Sequence, residues 1–336
     1  MEKNRQGERP GKGKTDASEC MHCHLCQKNC DFLSKYKIDI GDRNQLEELA
    51  YHCFLCGRCT EVCPIGIDGR EEILNIRREQ SKDNKGKPGE EGYGMLLIEK
   101  KDYLFRNYRN AAGKSVLFPG CNFPSFYPNT MKKLVELMRN KAGMGVVYDC
   151  CGKPVAELGM TAQEEKIIHG IEERLKKYGI TELVTMCPNC YHFLKPRLSV
   201  CVSSVYEKLQ KLGLGSQIPG GAPVFVPCPD RKTHEWLDMI RPFFHEECTV
   251  IQSVQCCGLG GCAGGKEPEL ARGMAEKVVK EMKEKQAVYT YCGSCSGNLE
   301  RNGCKNVQHV LSEILNVHEK PDTGRSVVNR MKTKLR

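Results

Sequence analysis

The sequence lacks any long hydrophobic run. None of its 336 residues belongs to an uninterrupted apolar stretch of about eighteen residues or more, the length that a membrane-spanning helix needs. Residues 1–19 are polar and of mixed charge, without the apolar segment of a secretory signal peptide. We therefore expect a cytosolic protein with no transmembrane segment.

Several binding motifs are missing as well. The chain has no nicotinamide, flavin or nucleic-acid motif. The glycine-rich segment 257–265 lacks the lysine and the strand-to-helix context of a phosphate-binding loop, so we interpret it as close backbone packing. If the protein handles electrons, a partner protein with a flavin or an iron–sulfur centre must supply them.

Charge and overall composition are unremarkable. A hydrophobic fraction of 40% and a charged fraction of 28% are typical of a folded protein, and 336 residues favour two or three domains. The formal net charge of +9 is spread along the chain except near residues 316–336, which we expect to be a solvated, frayed basic tail. An acidic redox partner or peripheral contact with a membrane surface is the alternative for this tail. Its basic residues are Lys320, Arg325, Arg330, Lys332, Lys334 and Arg336.

Cysteine is unusually frequent, with 22 residues. Disulfide-rich scaffolds are small and secreted, which does not fit this chain. In a reducing compartment, thiols at short fixed spacings are first of all ligands for iron or zinc. The cysteines therefore predict metal centres.

The N-terminal cysteines form two runs, Cys20-x2-Cys23-x2-Cys26-x3-Cys30 and Cys53-x2-Cys56-x2-Cys59-x3-Cys63-Pro64. This is the bacterial two-cluster ferredoxin spacing, in which the fourth cysteine of each run binds the other cluster. We predict two cubane [4Fe–4S] clusters and consider zinc the weaker alternative. The first cluster takes Cys20, Cys23, Cys26 and Cys63, and the second takes Cys53, Cys56, Cys59 and Cys30.

The residues around these runs predict a mostly helical domain over residues 18–78. Leu46, Leu49 and Ala50 indicate one helix, and Asp68 with Glu71 caps another. Residues 1–17 are expected to form a mobile tail, and residues 79–114 a linker with a connecting helix. Asp31 stands where a ferredoxin usually has proline, and His22 and His24 are interpreted as flanking polar residues, with ligand tuning or replacement as the alternative.

After residue 115, short apolar strands alternate with amphipathic helices, a pattern typical of βαβ units. Strands at 116–118, 146–148 and 183–184 run to cysteines, and strands at 224–226, 250–251 and 288–289 repeat the series. Matching cysteines are offset by 107 (228 − 121), 106 (256 − 150) and 105 (292 − 187) residues, which indicates an internal duplication. The fold prediction is an α-helical two-cluster ferredoxin domain followed by two duplicated α/β modules of βαβαβ type, over residues 115–222 and 223–315. In the first module, Thr161 and Glu164 are expected to form a capping box.

Each module contains five cysteines, two of them adjacent and followed by glycine. The first set is Cys121, Cys150, Cys151, Cys187 and Cys190, and the second set is Cys228, Cys256, Cys257, Cys292 and Cys295. Adjacent thiols do not easily occupy two corners of one cubane, so each set suggests an unusual cluster. Buried structural thiols are the alternative, but they leave the repetition unexplained.

With these motifs the sequence resembles the cysteine-rich CCG-domain proteins, and best the B- and D-type subunits of heterodisulfide reductase, over residues 18–312. The resemblance implies that each five-cysteine set binds a noncubane [4Fe–4S] cluster, and that the paired clusters reduce a disulfide substrate with electrons from the ferredoxin-type clusters. The protein would then be an oxidoreductase that acts as part of a complex. The alternative is an electron-relay iron–sulfur subunit of a flavin dehydrogenase of glycolate, lactate or glycerol-3-phosphate type, although such relatives often carry degenerate sets.

Four cysteines lie outside both patterns: Cys201, Cys248, Cys262 and Cys304. We expect buried or inert thiols at all four positions. Cys262 stands out because it lies in the glycine-rich segment that follows Cys257.

Overall fold

The computed structural model describes residues 15–282 and 287–335. Most of the tail predicted at residues 1–17 lies outside the described residues, as does Arg336. Within the described part, Thr15 already pairs with Ile67 in an isolated bridge, and residues 17–19 form a 3-10 turn.

Between residues 15 and 100 the regular elements are helices, as predicted for the N-terminal domain. Asp68 caps the fifth helix, because its Oδ1 accepts a hydrogen bond from the Glu71 backbone N–H at 3.2 Å. That helix continues to Asp83, so residues 79–83 of the expected linker are helical. The helices are α1 (Leu25–Lys28), α2 (Asp31–Tyr36), α3 (Arg43–Leu49), α4 (Arg58–Val62), α5 (Gly69–Asp83) and α6 (Gly94–Lys100), with a 3-10 turn at Ala50–His52.

The next segment forms a four-stranded parallel sheet in the order β2-β1-β3-β4. Its strands are buried because helices cover them, as is usual for parallel sheets. The strands are β1 (Ser115–Phe118), β2 (Gly145–Val146), β3 (Glu182–Thr185) and β4 (Cys201–Ser204). The helices are α7 (Phe123–Phe126), α8 (Pro128–Ala142), α9 (Lys153–Ala156), α10 (Thr161–Lys177), α11 (Pro188–Leu194) and α12 (Val205–Lys211).

Two details of this module differ from expectation. Thr161 is the first residue of α10, Met160 occupies the cap position, and no side chain caps the helix, so the predicted capping box is wrong. The strand expected at 146–148 is only two residues long, at Gly145–Val146. Tyr148 pairs instead with Asn107 in an isolated antiparallel bridge.

The second module repeats this topology with less regular strands. Val224 forms single parallel bridges to Val250 and to Tyr289 where continuous strands were expected. Pro223 and Pro227 flank this segment, and a proline cannot donate to a strand ladder. The regular elements are α13 (Glu235–Ile240), α14 (Pro268–Glu281), β5 (Val288–Thr290), α15 (Gly293–Arg301), β6 (Val307–His309) and α16 (Val310–Ile314), with 3-10 turns at Cys228–Asp230, Arg241–Phe243 and Gly260–Gly265.

The basic segment at the end is not a frayed tail. Ser326–Leu335 forms helix α17, which packs against α7. Within residues 15–282 and 287–335, no helix combines the length and the apolar character needed to cross a membrane. The domain limits given above stay predictions.

Candidate metal centres

The first ferredoxin-type set lies around one small cavity near the N-terminal helices. Cys20, Cys23, Cys26 and Cys63 all line it. Space is kept open there by Gly41, because a Cβ at this position would lie 2.9 Å from Cys20 Sγ. The donor set and the free space suit a metal cluster.

Two histidines border this cavity. Both His22 and His24 place Nδ1 near the buried Asp39 carboxylate, at 3.0 and 3.1 Å from Oδ2. Each histidine is about half exposed, with a relative side-chain accessibility of 53%. Ligand atoms of Cys20, His22 and Asp39 lie within 4.8 Å of one another, and the interpretation of both histidines as flanking polar residues stays a prediction.

The second ferredoxin-type set is fully enclosed. Cys53, Cys56, Cys59 and Cys30 are all buried. Burial raises the pKa of Cys53 and of Cys56 to about 12, and the neighbouring Cys30 adds to both effects. Since metal ligands must be thiolates, metal binding here is coupled to proton release. Gly69 leaves room, because a Cβ there would lie 2.8 Å from Cys59 Sγ.

The first CCG set forms a continuous series of thiol contacts at the carboxyl ends of β1, β2 and β3. Cys121 contacts Cys150, Cys150 contacts Cys151, Cys151 contacts Cys190, and Cys190 contacts Cys187. The hydrogen bonds from Cys150 and Cys190 lower the pKa of Cys151 despite its burial.

The second CCG set repeats the same order of contacts. Cys228 Sγ lies 4.0 Å from Cys256 Sγ, Cys256 contacts Cys257, Cys257 contacts Cys295, and Cys295 contacts Cys292. Hydrogen bonds from Cys256 and Cys295 lower the pKa of Cys257, as happens at Cys151 in the first set. The duplication therefore extends from the sequence to the local geometry.

The two CCG sets meet directly. The thiols of Cys187 and Cys292 are in contact, and the Asn189 side-chain amide donates to Cys292 Sγ at 3.5 Å. A second contact across the modules joins the Asn122 amide to Ser294 Oγ at 2.7 Å. All ten CCG cysteines thus lie along one continuous series.

A further contact links the second CCG set to the second ferredoxin-type set. The Gln255 amide donates to Cys30 Sγ at 3.5 Å, and the following residue is Cys256. Next to it, the Arg231 guanidinium donates to Cys228 Sγ at 3.5 Å. The charge on Cys228 in turn contributes to the raised pKa of Cys56.

One large cavity of about 1550 Å³ opens onto this series. Two lysines in its wall lie beside the first CCG set: Lys100, close to Cys121 and Cys150, and Lys153, close to Cys151. Seven CCG cysteines line the cavity: Cys121, Cys151, Cys187, Cys190, Cys228, Cys257 and Cys295.

Both lysines have a raised pKa. Burial lowers the pKa of Lys100, but Cys121, Cys150 and Glu99 outweigh this effect and raise it. Burial likewise lowers the pKa of Lys153, whereas the hydrogen-bonded Glu157 raises it above its usual value. The cavity therefore has two basic side chains next to its sulfur ligands.

Sequence reasoning missed Lys153, Glu157, Arg77 and Gln255. Lys153 and Gln255 each stand within two residues of an adjacent cysteine pair, and this proximity is a usable signal. Arg77 offered no signal, because only the fold brings the carbonyls of Ala50, Glu157 and Gly261 around its guanidinium.

The four remaining cysteines differ from one another. Cys248 and Cys304 are buried, as expected, whereas Cys201 is exposed at the start of β4. Cys262 lines the large cavity in a left-handed conformation with φ 56°. Its Sγ lies 3.7 Å from the Pro154 carbonyl oxygen.

Comparison with known proteins follows the same division of the chain. Residues 16–67 match the 4Fe-4S dicluster domain model, and residues 115–195 and 225–300 match the CCG cysteine-rich domain model. A fumarate reductase (CoM/CoB) subunit from Methanothermobacter marburgensis is 22% identical, with 91% of this chain and 72% of that protein covered. A subunit from the dihydromethanophenazine:CoB–CoM heterodisulfide reductase of Methanosarcina acetivorans is 24% identical, with 76% of this chain and 74% of that protein covered.

A longer relative is an uncharacterised iron–sulfur protein of Methanococcus maripaludis. It is 24% identical to this chain and covers 79% of it. The chain in turn spans only 59% of that relative's length.

Proposed function

The chain belongs to the CCG-domain iron–sulfur proteins that also carry a 4Fe-4S dicluster domain, and we propose that it reduces a disulfide with electrons received through its N-terminal clusters. It is distantly related to oxidoreductase subunits. The observation that carries the proposal is the contact between Cys187 and Cys292, which brings two complete CCG sets together at one cavity.

The proposal assigns four clusters. The dicluster domain provides two [4Fe–4S] clusters, held by the two ferredoxin-type cysteine sets predicted above. Each CCG set holds a further [4Fe–4S] cluster of noncubane type. When bound, these clusters supply one-electron transfer and iron sites for sulfur.

The order of contacts supports a path for electrons through the protein. In the ferredoxin arrangement the two sites exchange their fourth ligands, so the predicted Cys20 and Cys53 sites are neighbours. Gln255 and Arg231 connect the Cys53 site to the second CCG set, and Cys187–Cys292 connects this set to the first. A redox partner would deliver electrons at the more exposed Cys20 end, where Cys23 is exposed.

The overall reaction consumes two electrons and two protons per disulfide and releases two thiols. Electrons come from a reduced flavin or iron–sulfur partner. Lys153 and Lys100 hold positive charge beside the CCG cysteines and stabilise thiolate products before these are protonated. Glu157 and Arg70 hold Lys153 in place, because Glu157 accepts from Lys153 Nζ and lies 3.7 Å from Arg70 Nη2.

The test uses protein purified without oxygen and a one-electron reductant such as dithionite. Iron and acid-labile sulfide are counted, and the EPR spectrum is recorded before and after a set of low-molecular-weight disulfides is added. About sixteen irons per chain, a new EPR signal and release of two thiols per disulfide are expected. About eight irons with no response to any disulfide would contradict the proposal.

The second candidate is an electron relay for a flavin dehydrogenase. The unbroken series of thiol contacts from Cys228 to Cys121 favours it, since a relay needs only closely spaced centres. A relay would hold the same irons and would be oxidised by a carrier such as a quinone, while its EPR spectrum would not respond to disulfides.

A further inference from the structure

Helix α17 has its polarity reversed relative to an ordinary surface helix. Its buried side chains are polar: Ser326, Asn329 and Thr333 are exposed by only 7%, 4% and 4%. Surface helices of globular proteins normally bury an apolar stripe and expose the polar one. The hydrophobic effect therefore contributes little to the packing of α17 against the rest of the protein.

Directional hydrogen bonds hold this polar side in place. The Asn329 amide donates to the Ser125 carbonyl at 3.1 Å, and Ser125 Oγ donates to the Ser326 carbonyl at 2.9 Å. Near the other end, the Asn107 amide donates to the Thr333 carbonyl at 2.8 Å. Because these bonds fix the rotation of the helix about its axis, its apolar side stays turned outward.

The outward side is a continuous apolar face. Val327, Val328, Met331 and Leu335 are exposed by 53%, 49%, 53% and 81%. At 3.6 residues per turn, these four positions fall within an arc of about 100°. We call this set the α17 apolar face. The nearby helix α6, joined to α17 by the Arg330–Glu99 ion pair at 3.3 Å, exposes two more apolar side chains, Met95 and Ile98.

Basic side chains border this face on both edges. Lys334 lies beside Val327 on one edge, and Lys332 lies beside Val328 on the other, as the helical spacing requires. Both lysines are exposed, and α17 contains no acidic residue. An apolar helix face with lysines along its edges matches the surface of an anionic bilayer, where phosphate groups lie above the acyl chains.

We propose that α17 lies on an anionic lipid surface, with its apolar face inserted at the level of the lipid headgroups. The four exposed side chains of the α17 apolar face cover much less than the roughly 800 Å² per partner that a stable protein interface buries, which favours lipid over a protein partner. The inference is independent of the reaction in the cavity. Since Ser326 and Arg330 also line that cavity, membrane binding places its mouth near the bilayer.

The test is cosedimentation of the cluster-containing protein with vesicles. Vesicles of phosphatidylcholine alone are compared with vesicles that also contain phosphatidylglycerol. We expect binding to the anionic vesicles that weakens as salt is added. Met331→Glu should lower the partition coefficient at least tenfold, and Lys332→Glu should lower it about fivefold or more per unit of charge removed.

The matched control is Val279→Glu, because Val279 is exposed by 44% on α14, outside the proposed face. This variant should bind vesicles like the unmodified protein. Circular dichroism and cluster absorption establish that each variant is folded. No binding to anionic vesicles, or equal binding by Met331→Glu, overturns the proposal. A dimer that Met331→Glu dissociates in sedimentation velocity would also overturn it, by showing that a second copy covers this face.

Discussion

The side-chain amide of Gln255 donates a hydrogen bond to Cys30 Sγ across 225 positions of sequence. Its carbonyl oxygen accepts from the Asp31 N–H at 2.9 Å, so the amide orientation is fixed. One side chain thus connects the second CCG module with the dicluster domain. Hydrogen bonds to cluster sulfurs tune reduction potentials, and Gln255 is therefore placed to tune the centre that Cys30 serves.

Replacing this amide should change one potential. A hydrogen bond to a charged acceptor contributes about 1.5 kcal/mol, equivalent to about 60 mV for one electron. Gln255→Leu should lower the reduction potential of the cluster assigned to Cys53, Cys56, Cys59 and Cys30 by roughly that amount. The reason is that the reduced, more negative state loses a hydrogen-bond donor. EPR-monitored redox titration measures the shift. Gln210→Leu, which removes an amide bonded to the Met239 carbonyl on the surface, should leave every potential unchanged.

Loss of one CCG ligand should remove one cluster selectively. Cys257 contacts both Cys256 and Cys295, so Cys257→Ser should lower the iron content by about four of about sixteen irons and leave the ferredoxin-type EPR signals intact. Cys304→Ser serves as the control, because Cys304 is buried but outside both sets. If all signals disappear together in Cys257→Ser, the residue has a folding role instead.

Gly120 should be needed for the first CCG cluster. Its φ is +68°, and a Cβ there would lie 2.8 Å from Cys190 Sγ. Gly143→Ala is a matched comparison, since φ is +61° and nothing lies within 4 Å of the added Cβ. Both substitutions should cost about 1 kcal/mol of stability from left-handed backbone strain, but only Gly120→Ala should lose iron. Equal iron contents would show that Cys190 is not displaced.

Arg77 should stabilise the packing of the N-terminal domain against the two CCG modules. It is fully buried and donates to the carbonyls of Ala50, Cys53, Glu157 and Gly261. Arg77→Met leaves these acceptors without a donor and should lower the free energy of unfolding by about 4 kcal/mol.

Urea unfolding, followed by the fluorescence of the single tryptophan, Trp236, measures this change. Arg78→Met is the control, because Arg78 is partly exposed and pairs with Glu71 at 2.7 Å. Loss of this ion pair should lower the free energy of unfolding by less than about 1 kcal/mol. Similar decreases in the free energy of unfolding of the two variants would contradict the proposed stabilising role of Arg77.

Local features could be predicted from the sequence because they depend on neighbours in the chain. The Asp68 cap and the helix around Leu46 need only residues a few positions apart. The duplication could be predicted because both modules keep the same cysteine spacing. This holds even where the second module has only single strand bridges, as at Val224. The capping box at Thr161 failed because the same residue types also suit the first turn of a helix.

The sequence by itself predicted which cysteines belong to each set, because the ferredoxin spacing and the repeated five-cysteine pattern are both visible as linear spacings. Only the tertiary structure decided how the sets relate to one another. The contacts Cys187–Cys292 and Gln255–Cys30 join residues more than a hundred positions apart. No local sequence pattern predicts such contacts. The same holds for α17, whose composition predicts an amphipathic helix, whereas the hydrogen bonds to Ser125 and Asn107 decide that its apolar face is turned outward.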